Sequence, residues 1–200
     1  MNIVEQLTEL LTCFPGIGPR QAKRFVYFLL QSDNGYVEEL VGKIRQLRDT
    51  TKQCTLCFKY FIPRTNGGSK CELCQTPQET TTMLIVEKDV DLENVRKSGA
   101  HKGYYFVLGG LLPILEENPD SRIRIGDLRE RLTKDTKIKE VILALTTNSL
   151  GDNTSDYLRT EISKLGRRIK ISTLGRGLST GAELEYSDHN TLSHALKNRC

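Results

Sequence analysis

The chain contains no long apolar run, no internal repeat and no low-complexity tract. Nothing in it approaches the roughly 20 consecutive apolar residues that a membrane-spanning helix needs. Glu5 and Glu9 stand where a secretory leader would be basic, so a cytoplasmic protein with no membrane partner is expected. A strong charge of either sign is also missing, and the net charge of +4 over 200 residues does not by itself imply a nucleic-acid partner. No tyrosine nucleophile or general base is fixed by the pattern, which weakens any reading as a covalent catalyst. With 38% hydrophobic and 27% charged residues, the composition is that of a globular protein and excludes disorder over the whole length.

Charge and apolar pattern are unevenly distributed. Lys164, Arg167, Arg168, Lys170 and Arg176 fall within residues 162–182, where no acid occurs, and residues 121–139 carry seven basic residues against three acidic. Each cluster is a candidate phosphate-facing patch, with a solvated basic face as the alternative. Ile3, Val4, Leu7, Leu10 and Leu11 recur at helical spacing, as do Val37, Leu40, Val41, Ile44 and Leu47. A Pro-Gly-rich turn between these two stretches feeds a third helix over 21–30. After Pro77, short runs at 83–86, 104–108, 141–145 and 168–172 suit strands, and stretches such as 152–165 suit helices. That alternation predicts an α/β domain with a mostly parallel sheet. A last helix is expected over 190–198, capped at or beside Asp188.

The sharpest local pattern is Cys54-x2-Cys57, thirteen residues, then Cys71-x2-Cys74, with a Gly67-Gly68 turn between the pairs. Two residues between thiolates let both sulfurs of a pair reach one ion, and two such pairs close a tetrahedron of soft ligands. This predicts one structural Zn2+ per chain, with no open position for catalysis. Two disulfides are the alternative, disfavoured in a reducing compartment. Cys13 and Cys200 lack partners at ligand spacing and are read as a core residue and an exposed tail thiol.

The second pattern is Phe14-Pro15-Gly16-Ile17-Gly18-Pro19-Arg20, ahead of the helix. Gly16 and Gly18 bring no side chain that would hold a phosphate off the backbone, and the helix start offers free N–H groups and the positive dipole end. Arg20 and Arg24 lie one turn apart with Lys23 beside them, adding charge to the same surface. The segment resembles a helix-hairpin-helix motif; a turn without a ligand is the alternative. A third, weaker pattern is acidic. Glu87 closes the strand Ile85-Val86-Glu87, and the strand at 141–145 leads into a loop bearing Asp152. Such strand ends are where open α/β sheets place ligands, commonly with Mg2+.

Taken in order, the hairpin, the four cysteines, Ile85-Val86-Glu87, Val107-Leu108-Gly109-Gly110-Leu111-Leu112, Gly175-Arg176-Gly177-Leu178 and Leu184-Glu185-Tyr186-Ser187-Asp188 resemble the RecR family of recombination mediators over essentially the whole chain. The resemblance implies a helix-hairpin-helix region at 1–53, a C4 zinc finger at 54–74, a Toprim-like α/β domain at 81–177 and a C-terminal assembly segment at 178–200. It further implies a ring-shaped tetramer around DNA, and RecO and RecF as partners in loading RecA at single-stranded gaps. By the same resemblance Arg20 and Arg24 face DNA, the four cysteines hold zinc, and Glu87 and Asp152 are the first and last Toprim acids. The family's acid-Gly-acid step is Leu150-Gly151-Asp152 here, so one carboxylate is missing. Weak Mg2+ affinity and no turnover are expected, with the acids free to meet a basic surface of RecO. The rival expectation is a metal-dependent Toprim enzyme, nuclease or topoisomerase-like, using Glu87 and Asp152, with Asp156 as a substitute acid.

Overall fold

A computed structural model describes residues 1–64, 68–178, 180–181 and 183–199, with Asn190 described by its backbone alone. Gly67 of the expected turn and the tail thiol Cys200 lie outside the described residues. The chain divides into two compact units, Met1–Thr51 and Lys52–Cys200.

The first unit is three helices. In α1 (Ile3–Thr12) the Asn2 side chain accepts from the Glu5 N–H and the Glu5 carboxylate accepts from the Asn2 N–H, each at 2.9 Å, so two orphan donors are satisfied reciprocally. α2 (Pro19–Gln31) opens with proline at its first position, where no N–H is missed. α3 (Asn34–Thr50) is capped by Asp33, which accepts from the Tyr36 N–H at 2.9 Å. The expected apolar stripes form, but little covers them. Ala22 and Val26 are the buried apolar residues of this unit among those described, whereas Leu10, Ile44 and Leu47 are 67%, 55% and 63% exposed. Cys13, expected in a core, is exposed. It follows α1 directly and its thiol donates to the Glu9 carbonyl at 3.7 Å; the space the unit encloses is filled from α2 instead.

The second unit begins with β1 (Lys52–Gln53) and β2 (Tyr60–Phe61), paired antiparallel with Lys52 opposite Phe61. After the short helix α4 (Glu72–Gln75) come β3 (Thr82–Val86), α5 (Asp89–Ser98), β4 (Tyr104–Val107), α6 (Pro119–Arg122), α7 (Ile125–Lys134), β5 (Glu140–Ala144), α8 (Ser149–Ser163) and β6 (Lys170–Thr173). A 3-10 turn at Leu184–Tyr186 and α9 (His189–Lys197) end it, the latter capped by the Asp188 carboxylate accepting from the Thr191 N–H at 3.0 Å. The four longer strands form one parallel sheet in the order β4-β3-β5-β6, with Val86 opposite both Val107 and Ala144. Both faces are covered, as parallel sheets require. Met83, Ile85 and Phe106 pack with Leu128, Leu132 and Leu158 on one side, and Leu84, Val86 and Tyr105 pack with Leu92 on the other. The chain leaves β3 for β4 on one side and returns to β5 on the other, so the sheet has its topological switch between β3 and β5. Among the described residues no helix is long and apolar enough to cross a membrane.

Candidate nucleic-acid interface and metal centre

The turn before α2 is built by its sequence. Phe14 C=O accepts from the Ile17 N–H at 3.1 Å, Pro15 occupies the second position, and Gly16 takes φ +77° at the third. That is a type II turn, whose third residue needs a positive φ that glycine adopts without strain. Gly18 then stands as N-cap of α2 with no side-chain cap, in extended conformation. The amides of Arg20 and Gln21 therefore have no intrahelical acceptor. Arg20, Lys23 and Arg24 project from the same face and line an open groove of about 400 Å³ with Tyr27, Phe28 and Gln31. All three cations are exposed, and among the described residues none forms an ion pair or side-chain hydrogen bond. The sequence reading omitted Tyr27, Phe28 and Gln31, although seven-residue spacing from Arg20 and Arg24 already puts Tyr27 and Gln31 on this face.

The basic clusters of the second unit are differently used: several of their arginines are engaged within the fold. Arg129 bonds the Glu161 carboxylate, Arg122 pairs with Glu116 at 2.8 Å, and Arg131 pairs with Asp135 at 3.2 Å while lying over the Tyr104 ring. Arg124 donates to the Val107 carbonyl at 3.0 Å and lies over Phe58. Arg167 donates to Thr136 C=O at 2.9 Å and Ile138 C=O at 3.1 Å, closing the stretch after α7. β6 starts at Lys170, two residues beyond the expected 168. A count of charges along the chain does not reveal that guanidinium groups near buried carbonyls and carboxylates are consumed as ties.

The four cysteines come together. Their sulfurs all lie within 4.8 Å of one another, close to the edge of about 3.8 Å that a tetrahedron with metal–sulfur bonds of about 2.3 Å would have. Cys54, Cys57 and Cys71 are buried. Cys57 and Cys71 have their sulfurs 3.4 Å apart, far beyond the roughly 2.05 Å of a disulfide. The Cys54 sulfur accepts from the Cys71 N–H at 3.3 Å and the Leu56 N–H at 3.5 Å, the backbone support a thiolate ligand needs. Hydrogen bonds from Cys57, Cys71 and Cys74 hold the Cys54 thiol far below the usual range, while bonds within the same set push Cys57 and Cys74 far up. Four such sulfurs cannot all be thiolates unless one cation replaces their protons, and a divalent soft ion fits this donor set. The cluster is tied to the sheet: Val107 N–H donates to Cys57 C=O at 2.8 Å, and Phe58 meets Phe106 edge-on at 5.4 Å.

The acids sit near the switch point. Glu87, 7% exposed, follows β3; Thr146 beyond β5 donates its hydroxyl to it at 2.8 Å, and Lys88 pairs with it at 2.8 Å. That carboxylate holds the Lys88 ammonium above the usual lysine range. Asp152 stands in the first turn of α8, which corrects its placement on a loop, and it bonds Arg176. Its helix starts early because Asn148 accepts from the Gly151 N–H at 2.9 Å. Leu150 is 42% exposed and offers no ligand. Among the described residues, the cysteines are the one set of three or more metal-ligating side chains gathered closely enough to share an ion.

Residues 4–48 match the family described as RecR, helix-hairpin-helix; residues 81–174 match the Toprim domain, and 177–200 the family RecR, C-terminal. The recombination protein RecR of Dehalococcoides mccartyi is 36% identical over 197 residues, 98% of this chain and 93% of its own. That of Legionella pneumophila subsp. pneumophila is 34% identical over 200 residues, 100% and 96% of the two chains. That of Bacteroides thetaiotaomicron is 34% identical over 198 residues, 98% and 93% of the two chains. With the hairpin, the cysteine cluster and the parallel sheet all in place and matches running the length of the chain, the chain belongs to the RecR family.

Proposed function

We propose that the chain is a non-catalytic DNA-binding mediator of recombinational repair, acting in the cytoplasm. It grips DNA independently of sequence through the hairpin amides at Gly16 and Gly18 and the side chains of Arg20, Lys23 and Arg24. The single observation that carries this reading is the set of three unpartnered cations beside an uncapped helix start, in a protein whose other arginines are largely tied down. One structural Zn2+ on Cys54, Cys57, Cys71 and Cys74 orders residues 54–74, because a small segment with few apolar residues needs a metal to fold. Family membership supports RecO and RecF as partners and RecA loading at single-stranded gaps as the outcome. It also supports a ring-shaped tetramer, and the uncovered apolar residues of α1 and α3 supply surface for contact between copies.

A Toprim-type enzyme is the less favoured reading. Mg2+ demands several oxygen ligands in near-octahedral array, whereas Glu87 is engaged by Lys88 and Thr146, Asp152 by Arg176, and Leu150 is apolar. Of the two acids Asp152 has the surface to meet a basic face of RecO, with its side chain 51% exposed. The test is salt-dependent binding. Arg20→Ala with Arg24→Ala weakens binding to all sequences alike and flattens the log–log salt slope by about one to two units. Unaltered binding by that variant, or DNA cleavage in Mg2+ that Glu87→Ala with Asp152→Ala abolishes, overturns the reading.

A further inference from the structure

We infer that the α2 groove is a subsite for single-stranded DNA, in which Tyr27 stacks on a base while Arg20, Lys23 and Arg24 hold the flanking phosphates; this rests on the DNA-binding reading of the hairpin. A groove made for duplex phosphates alone needs cations and amides, and it has no use for aromatic surface. This one carries both. At 3.6 residues per turn, Arg20, Lys23, Arg24, Tyr27 and Gln31 fall within about 100° of arc on one face of α2. Tyr27 is four residues from Lys23 and three from Arg24, so both cations stand one turn from its ring. The length of helix from Arg20 to Tyr27 is about 10 Å at about 1.5 Å per residue, enough to seat a phosphate at one end and a neighbouring base at the other.

The ring is available for this. Tyr27 is 49% exposed, and among the described residues it takes part in no ring contact, no cation contact and no side-chain hydrogen bond. Its neighbour Phe28, 54% exposed, is held differently: it meets Tyr36 edge-on at 5.7 Å, which leaves Tyr27 as the aromatic ring of the groove without a ring partner. An exposed aromatic amid cations is the arrangement by which proteins bind single strands without reading sequence, because every base offers a π-face and the backbone supplies the charge. In a duplex the bases are already stacked on one another and the outer surface is phosphate, so Tyr27 gains nothing there.

The chain contains no tryptophan, so Tyr27→Trp places a single tryptophan at the platform of the full-length protein, its emission excited selectively over that of the remaining tyrosines. Oligo-dT is expected to quench its emission, and a duplex of the same length to leave it nearly unchanged. In parallel, Tyr27→Leu weakens oligo-dT binding roughly 5- to 140-fold, the range for losing one stacked base; Tyr27→Phe restores it, and duplex binding changes far less. If Tyr27→Leu binds oligo-dT as tightly as the parent while Arg20→Ala with Arg24→Ala weakens both DNAs, stacking is refuted and the hairpin grip stands. If that double variant weakens neither DNA, the underlying reading falls with it. Emission that changes with protein concentration and not with DNA means a second copy covers the groove, which also overturns the inference.

Discussion

The helical unit and the α/β unit spend the same residue types on different ends. In the α/β unit, leucines such as Leu128, Leu132 and Leu158 are fully buried, and arginines such as Arg129, Arg131 and Arg167 hold carboxylates and carbonyls. In the helical unit, Leu10, Ile44 and Leu47 face water, and Arg20, Lys23 and Arg24 bond nothing within the described chain. The α/β unit closes a core and ties down most of its arginines, whereas the helical unit buries little and leaves these cations open. A surface with open apolar and cationic groups is one built to be completed by something else. On the proposed reading, the α/β unit supplies rigidity and the helical unit supplies binding.

The largest effect should come from the metal, and it should fall on one side of this division. Protein purified without chelator is expected to carry one zinc per chain by metal analysis. Chelation or Cys57→Ser removes an ion whose binding stabilises zinc-finger peptides by about 10–16 kcal/mol, comparable to the whole stability of an ordinary domain. Because Cys57 C=O accepts from Val107 N–H and Phe58 packs on Phe106, the loss should spread into β4. Hydrogen exchange should speed up in peptides covering residues 52–61 and 104–107 and leave α2 as it was. Absence of zinc, or an unchanged thermal midpoint in Cys57→Ser, breaks the assignment.

Next in size is a pair of truncations. Leu128→Ala, at a fully buried position in α7, should cost about 2–5 kcal/mol. Ile44→Ala, 55% exposed in α3, should stay within about 0.5 kcal/mol in dilute solution and cost more as protein concentration rises if copies cover that helix. Urea unfolding at two concentrations checks both. Equal costs for the two in dilute protein would mean the helical unit has a closed core after all.

Much of this was legible in the sequence, for reasons that differ by element. Helices α1 and α3 carry side-chain caps and apolar periodicity and α2 follows a Pro-Gly turn with proline at its first position, so all three could be read locally, and the cysteine spacing is itself the geometry of the site. The strands of the sheet were found as apolar runs. Helices α5 and α7 were not singled out, because Asp89–Ser98 and Ile125–Lys134 bury one and three residues among many charges and their stripes become visible only against the sheet. What the sequence hid were partnerships over long separations. Arg167 with the carbonyls beyond α7, Arg129 with Glu161 and Asp152 with Arg176 looked like free charge, and Cys13 looked like core. Tyr27 was missed because an aromatic on a helix is ordinarily packing, and its lack of cover is a property of the fold alone.

A smaller effect tests the backbone at the edge of the acidic site. Gly151 lies in the first turn of α8, and a Cβ there would stand 1.8 Å from the Thr146 carbonyl oxygen. The contact is with backbone, so no side chain can swing aside. Gly151→Ala must shift either the helix start or the Thr146 loop that reaches Glu87. Overpacking of this kind costs about 1–3 kcal/mol, and DNA binding by the helical unit should be unaffected. A variant of parental stability would mean that the loop is free to move, and the Glu87–Thr146 contact would lose its claim to be fixed.

The last and smallest effect is acid sensitivity of the α/β unit. Glu161 is buried and its carboxyl is held below the usual range by its bonds to Lys164 and Arg129. Glu93 is lowered by Lys59, and Glu140 by the Ser172 hydroxyl and Lys170. A carboxylate whose folded value is depressed binds fewer protons folded than unfolded, so its stabilisation is fully present above the unfolded value of about 4.3. That stabilisation is lost as pH falls through the lower, folded value. The α/β unit should therefore weaken below about pH 4, and raising the pH from 5 to 7 should not change this contribution. Glu161→Gln isolates one member, since the amide resembles the protonated acid. The variant should be less stable than the parent at pH 7, and the two should converge as the pH is lowered and the parent's own Glu161 protonates. Thermal midpoints measured from pH 2.5 to 7 would sink the assignment if the gap between parent and variant stayed constant, because a constant gap means the loss is one of packing and not of a carboxylate that Arg129 and Lys164 keep charged.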